Sequence, residues 1–268
     1  MIKLIISDMD GCFLNDKKQL HPDTIDLIKE CKRNNIHFCI ASGRSFEGLI
    51  KYFESVINDI TLICDNGAMI YHHNKLLSIT PIKEEDVTMY TKIAKNINNV
   101  VPILTTPTKV YMQKDESIKN ENIEEIKHYY PNILMIDDIL EIKKDVLKIS
   151  IYDMDKAAIN SFPVLSKIVS ESKVILSAEV WVDVINPDVN KGTASISLQK
   201  FLKIKDDDVA VFGDYLNDLE MIKAFSNSYA PNTAHPELLT HAKNIIESND
   251  KWSVYYKIKE LIKAQIKD

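Results

Sequence analysis

Four short stretches, far apart in the 268-residue chain, carry the side chains that could do chemistry together. Asp8 and Asp10 follow the apolar run IKLII in SDMDG, and Ser42, Gly43 and Arg44 follow HFCIA. Lys191 opens KGTASISLQKFL, and Asp214, Asn217 and Asp218 follow VAVF in GDYLND. Three carboxylates with a backbone carbonyl suit a hard cation. Mg²⁺ is the economical choice, because it is satisfied by a few carboxylates, retained waters and a phosphate. A lysine and a serine suit a phosphoryl oxygen. An aspartate is a weak nucleophile whose charge repels phosphate, so a cation and an ammonium must neutralise the transferring group. A second carboxylic acid must then protonate the leaving alkoxide and deprotonate the attacking water. Asp8 and Asp10 can divide those tasks.

Singly, each residue has a plainer reading. An aspartate at a strand end more often caps a turn or a helix, and a lone lysine is an ordinary surface residue. Asp8 and Asp10, two apart, point to one side of an extended strand unless a turn beginning at Asp10 changes that geometry and exposes its carbonyl. Asp218, four residues after Asp214, reads as one helical turn further on, with both carboxylates facing one crevice. Asn217 and the helix N-terminus would add donors for an anion. Lys191 can pair with Asp218 and still reach a phosphoryl oxygen, and Arg44 reads as a secondary electrostatic or substrate contact or as a brace for its own loop, with Gly43 beside it in the same phosphate-binding segment.

The elements that must position these residues alternate. IKLII is continuously apolar and β-branched, as a central parallel strand covered on both faces should be. A helix from His21, a strand HFCIA, a helix in SFEGLIKYFESV, and the strand TLIC with an Asn66-Gly67 turn and hairpin continue an α/β pattern. In such sheets ligands bind beyond the carboxyl ends of the strands, and those ends carry Asp8 and Asp10, Ser42-Gly43-Arg44, Asp65-Asn66-Gly67 and Asp214, which share one rim if the strands are neighbours. From about Pro81 the character changes to helices near 84–98, 117–129 and 155–169 mixed with short strands. This reads as an inserted α+β domain over 81–187, with the core formed by 1–80 and 188–268. Within the insertion, strand alternation places Glu179, Trp181 and Asp183 on one face, as candidate substrate contacts. Trp252, Tyr255 and Tyr256 read as docking a terminal helix.

The bulk properties exclude several classes. With 33 basic and 39 acidic residues the formal net charge is -6, and the charges are interspersed, which argues against a nucleic-acid binder. No run approaches the length of a membrane span, and Asp8 and Asp10 interrupt the first apolar stretch too early for a secretory signal. The four cysteines show no zinc spacing, and Cys12 has no histidine placed to activate it. A cytoplasmic chain acting on a small phosphorylated metabolite is expected, as monomer or dimer.

In order and spacing, DMDGCFLND, SGR, NKGTA and GDYLND resemble the four motifs of the haloacid dehalogenase (HAD) superfamily, and the insertion before the lysine resembles the Cof-type phosphatases of subclass IIB. The likeness covers essentially the whole chain. It implies a Rossmann-like α/β HAD core with a parallel sheet and an inserted α+β cap domain of the C2B type, acting as a mobile lid. It implies Asp8 as nucleophile, Asp10 as acid/base, and Ser42 and Lys191 as phosphate ligands. Mg²⁺ would be held by Asp8, the Asp10 carbonyl and Asp214, with Asp218 supporting the lysine and Asn217 touching phosphate. Sugar phosphates are the first substrate class implied, with pyridoxal phosphate and flavin mononucleotide as other options. A phosphotransferase or mutase using the same phospho-aspartate, and a non-catalytic binder of a phosphorylated ligand, stay open. Cys12 stands where the family has threonine, and YAPNTA where it has an AMGNA-like stretch.

Overall fold

Continuous β-branched runs predict buried parallel strands, and the computed structural model, which describes residues 1–266, contains them. Strand β1 (Leu4–Asp8) is buried along its whole length. It is followed by helix α1 (Thr24–Arg33), β2 (His37–Ala41), α2 (Phe46–Phe53), β3 (Ile60–Cys64), β4 (Met69–His72) and β5 (Lys75–Ile79). The inserted segment contributes α3 (Glu84–Ala94), β6 (Val100–Thr105), β7 (Val110–Gln113), α4 (Asn120–Tyr129), β8 (Leu134–Ile136), β9 (Lys148–Asp153), α5 (Ser161–Leu165), β10 (Lys173–Ala178) and β11 (Trp181–Ile185). The last third adds α6 (Lys191–Leu202), β12 (Val209–Phe212), α7 (Leu219–Ala224), β13 (Asn227–Pro231), α8 (Pro236–Leu239), β14 (Asn244–Ile246) and α9 (Ser253–Ile266).

The chain forms two compact units, residues 1–78 with 189–268, and residues 79–188. In the first, an eight-stranded sheet runs β14-β13-β12-β1-β2-β3-β4-β5. The six strands from β14 to β3 are parallel, and β4 returns antiparallel to β3. β1 lies between β2 and β12, so the strand carrying Asp8 has Ala41 beside it on one side, while on the other its Ser7 pairs with Phe212. The chain leaves β1 towards one edge and later returns to its other side. That reversal opens a crevice at the carboxyl ends of the strands. Leu4, Ile6, Cys39, Ile63, Leu198, Val211 and Met221 pack one core against this sheet.

In the second unit a six-stranded sheet runs β10-β11-β9-β6-β7-β8. Helices α3 and α5 contribute Tyr90 and Leu165 to one apolar cluster, and α4 contributes Ile126 to another with Ile103, Tyr152 and Trp181. The helix expected over 155–169 is limited to Ser161–Leu165. Pro163 tolerates only a first-turn position, and the buried Asp153 carboxylate accepts from the Asp155 and Ser161 amides and from Asn160 Nδ2, each at 3.0 Å, which organises the preceding residues as a turn. Among the described residues, no helix is long and apolar enough to cross a membrane.

Candidate active site

Asp8 ends β1, and the chain then leaves the extended path. Residues Met9–Phe13 make one wide turn closed by Leu14 N–H donating to the Met9 carbonyl at 2.8 Å, with Gly11 at φ +81. A Cβ at Gly11 would run into the Asp214 carboxylate, so the absent side chain is what lets the β1 and β12 ends close on each other. The turn also separates the two aspartates, which an extended strand would have aimed side by side.

Asp8 turns to Lys191. The ammonium of Lys191, with its side chain fully buried, donates to Asp8 Oδ1 and, at 2.7 Å, to Asp218 Oδ1. Burial pushes the Asp8 carboxyl well above the usual carboxylate range. Lys191 pulls against that, while Asp218 and Asp214 add to it. Burial alone would lower Lys191, but its two carboxylate partners more than offset this and hold the ammonium charged. Lys191 is the first residue of α6, whose N-cap Asn190 accepts from Thr193 N at 2.8 Å.

Asp10 faces another way. Arg44 grips it through two bonds of 2.7 Å, from Nε and Nη2, and Lys18 adds a third at 3.3 Å. Half-burial works to raise Asp10, but the bonds and charge of Arg44, helped by Lys18, outweigh it and hold this carboxyl below its ordinary value. Arg44 also donates to Tyr52 Oη at 3.2 Å and lies over that ring. The arginine is therefore committed to protein partners, as an electrostatic contact that ties its loop to the turn after β1.

Asp214 and Asp218 differ from the expected helical pair. The residues after β12 form a loop and a short turn over Leu216–Asp218, and α7 is only six residues long. Asp218 is fully buried and reaches back, its Oδ2 accepting from the Asp214 and Tyr215 amides at 3.0 and 3.2 Å. The carboxylate takes up two backbone donors at the entry to α7, as the acidic third residue of a capping turn does. Burial, then the charge of Asp218, pushes Asp214 up to about 6.

These residues converge on one cavity of about 350 Å³ in the first unit, lined by Asp8, Asp10, Ser42, Gly43, Arg44, Asp214, Tyr215 and Asn217. Ser42 is buried, with its Oγ accepting from Arg44 N at 3.2 Å. Oxygens of Asp8, Asp214 and Asp218 all lie within 4.8 Å of one another, a cluster capable of coordinating a divalent cation. Asp214 Oδ1 is buried and has no hydrogen-bond partner. An orphaned carboxylate oxygen beside two further acids is the donor set a hard cation would satisfy. Asp218 is already occupied by Lys191 and two amides, which leaves Asp8 and Asp214 as the freer carboxylates.

Glu179, Trp181 and Asp183 lie in the second unit. Glu179 sits in the turn before β11, exposed and paired with Lys156 at 3.5 Å. Trp181 is 6% exposed and packs against Tyr129, Tyr130 and Tyr152, while Asp183 accepts from Ser150 Oγ at 2.6 Å. The Cys12 thiol is buried, and that burial pushes its pKa up, as befits a packing residue. Tyr52 and Tyr215 escaped the sequence reading of the site, while Asn66 is read there only as part of the Asp65-Asn66-Gly67 turn at a strand end, with no role of its own.

A family model described as haloacid dehalogenase-like hydrolase matches residues 5–258. Among curated proteins, the chain is 25% identical over 266 residues to the 5-amino-6-(5-phospho-D-ribitylamino)uracil phosphatase YbjI of Escherichia coli, covering 98% of this chain and 97% of that one. It is 22% identical to the phosphatase YwpJ of Bacillus subtilis, covering 97% and 100%. Among solved structures, TM0651 of Thermotoga maritima has the same fold with a TM-score of 0.85 at 21% identity, covering 97% of each chain. SMU.1108c of Streptococcus mutans has a TM-score of 0.79 at 24% identity, covering 98% and 99%.

Proposed function

The chain belongs to the haloacid dehalogenase-like hydrolases, and from that membership we propose a Mg²⁺-dependent phosphatase of small phosphorylated metabolites, sugar phosphates first, working through a phosphoryl group carried on Asp8. The observation that carries this reading is the buried Lys191 ammonium, which binds Asp8 where that carboxylate meets the cavity. The α+β unit between the SGR turn and Lys191 supports a place among the Cof-type enzymes of subclass IIB.

Asp8 attacks phosphorus, the bond to the leaving oxygen breaks, and Asp10 gives that oxygen its proton. In the second half Asp10 takes a proton from water, the water oxygen attacks phosphorus, and the bond to Asp8 breaks to release phosphate. Lys191 works against the burial of Asp8 and favours its ionised, nucleophilic form, though burial still leaves that carboxyl above the usual range. Ser42 and Asn217, which line the same cavity, are assigned to the phosphoryl oxygens. Arg44 holds Asp10 in the carboxylate form, which suits the second half; the first half requires Asp10 protonated, so the Arg44 pair opposes it. Mg²⁺, when held by Asp8, Asp214 and the Asp10 carbonyl, supplies positive charge against the phosphate and the clustered carboxylates.

The test is phosphate release from a panel of sugar phosphates, pyridoxal phosphate, flavin mononucleotide and the ribitylaminouracil phosphate that the Escherichia coli relative is named for. It is run with Mg²⁺ and with chelator, and with Asp8→Asn as control. Turnover that needs Mg²⁺ and disappears in D8N is expected. Full activity in D8N would sink the mechanism, and transfer to an added sugar hydroxyl in preference to water would replace hydrolase by phosphotransferase.

A further inference from the structure

The turn after β3 is the most unusual piece of backbone near the cavity. Asp65, Asn66 and Gly67 have φ of 48, 56 and 107, three left-handed residues in succession. Only glycine adopts that region freely, with asparagine next. Hydrogen bonds tie this turn to the phosphate site. Asn66 N donates to the Ser42 carbonyl at 2.9 Å and Asp65 N to the Arg44 carbonyl at 3.0 Å, so the SGR segment hangs on it. The Asn66 side chain accepts from Asn217 Nδ2 at 3.0 Å, bridging to the GDYLND loop 151 residues away. The same amide lies against Gly43, where a Cβ would meet it at 3.3 Å, and a Cβ on Gly67 would meet the Asn190 carbonyl at 2.5 Å, next to Lys191. One turn thus touches all three segments to which phosphate contacts are assigned.

We propose that Asn66 is a positioning residue for this site. Its left-handed backbone holds the Ser42 turn, and its side-chain oxygen aims the Asn217 amide into the cavity. This rests on the phosphatase reading for what the cavity binds, while the geometry that motivates it is independent of turnover. Asn217 is exposed, and without Asn66 its side chain would sample other rotamers and bind phosphate with an ordering cost.

Asn66→Gly separates the two contributions, because glycine keeps the left-handed backbone and loses the amide. Phosphate affinity is read from the thermal shift caused by inorganic phosphate with Mg²⁺, and from KM where turnover exists. N66G is expected to melt within about 2 °C of wild type and to bind phosphate roughly 3- to 10-fold more weakly, the size of one hydrogen bond. Asn217→Ala should weaken binding by a similar factor, and N66G/N217A should be no weaker than N217A alone, since Asn66 acts through Asn217. Multiplicative losses in the double variant, or unchanged affinity in N66G, would overturn the role of Asn66. A wild-type protein that binds phosphate without turnover would overturn the phosphatase reading and leave this cycle measurable. Failure to bind phosphate at all would overturn both.

Discussion

Replacing Lys191 by methionine should expose how the acid cluster is held. Methionine matches the length of the lysine stem and removes only the ammonium, which is fully buried between Asp8 and Asp218, themselves 4% and 0% exposed. Removing one member of a buried ion pair leaves uncompensated charge and costs about 3–5 kcal/mol. For a unit of this size that is roughly 6–20 °C in melting temperature, at about 2–4 °C per kcal/mol. The sign of the pH dependence follows from Asp8 and Asp214, whose carboxyls already lie above the ordinary range in the folded protein. A carboxyl raised on folding favours the native state while protonated, and that contribution is lost as pH rises through its folded value. In K191M both rise further, so the deficit should be smallest near pH 5 and grow through about 6 towards pH 8. Adding Asp218→Asn removes the second buried charge and keeps an oxygen for the Asp214 and Tyr215 amides, so K191M/D218N should recover about 1–3 kcal/mol over K191M. Neither variant should hydrolyse phosphate esters. Thermal melts of the three proteins from pH 5 to 8 measure this. A K191M melting curve within 2 °C of wild type across that range would refute the account of Lys191 as the charge that makes the cluster tolerable.

Asp214→Asn should make the metal-free protein more stable near pH 7.5, by at most about 3 kcal/mol for a carboxyl pushed from its ordinary value up to about 6. Mg²⁺ should raise the melting temperature of wild type but not of this variant; melts with chelator and with MgCl₂ check both. Gly11→Ala should lose about 1–2 kcal/mol from its left-handed backbone and raise the Mg²⁺ concentration needed for activity, because the new methyl presses on Asp214. Gly48→Ala, inside α2 with only ordinary contacts at 3.5 Å and beyond, should instead gain about 0.5–1 kcal/mol, and paired melts of the two variants separate the cases.

Much of the fold could be read along the chain because its causes are local. Unbroken β-branched runs read as parallel strands, and β1, β2 and β3 are buried along nearly all of their length. The helix read in KGTASISLQKFL spans Lys191–Leu202, where Asn190 caps its first turn and Lys203 ends it in a left-handed conformation. The helix expected at 155–169 failed where a buried aspartate and a proline competed with helical propensity. The helix expected directly after β12 begins only after a loop and a capping turn, in which Asp218 accepts from the amides of Asp214 and Tyr215.

By itself, then, the sequence determined which residues stand at strand ends, since periodicity and turn chemistry act over a few residues. Only the tertiary structure decided their partners. Asp10 meets Arg44 because β2 adds beside β1, Asp8 meets Lys191 from a helix 183 residues later, and Asn66 meets Asn217 because the parallel strands β3 and β12 point their carboxyl ends the same way. Trp181 reads as a candidate contact on an alternating strand, yet lies among Tyr129, Tyr130 and Tyr152, because burial depends on which helix covers that face. Long-range pairing and desolvation are properties of the assembled sheet, and no window of sequence contains them.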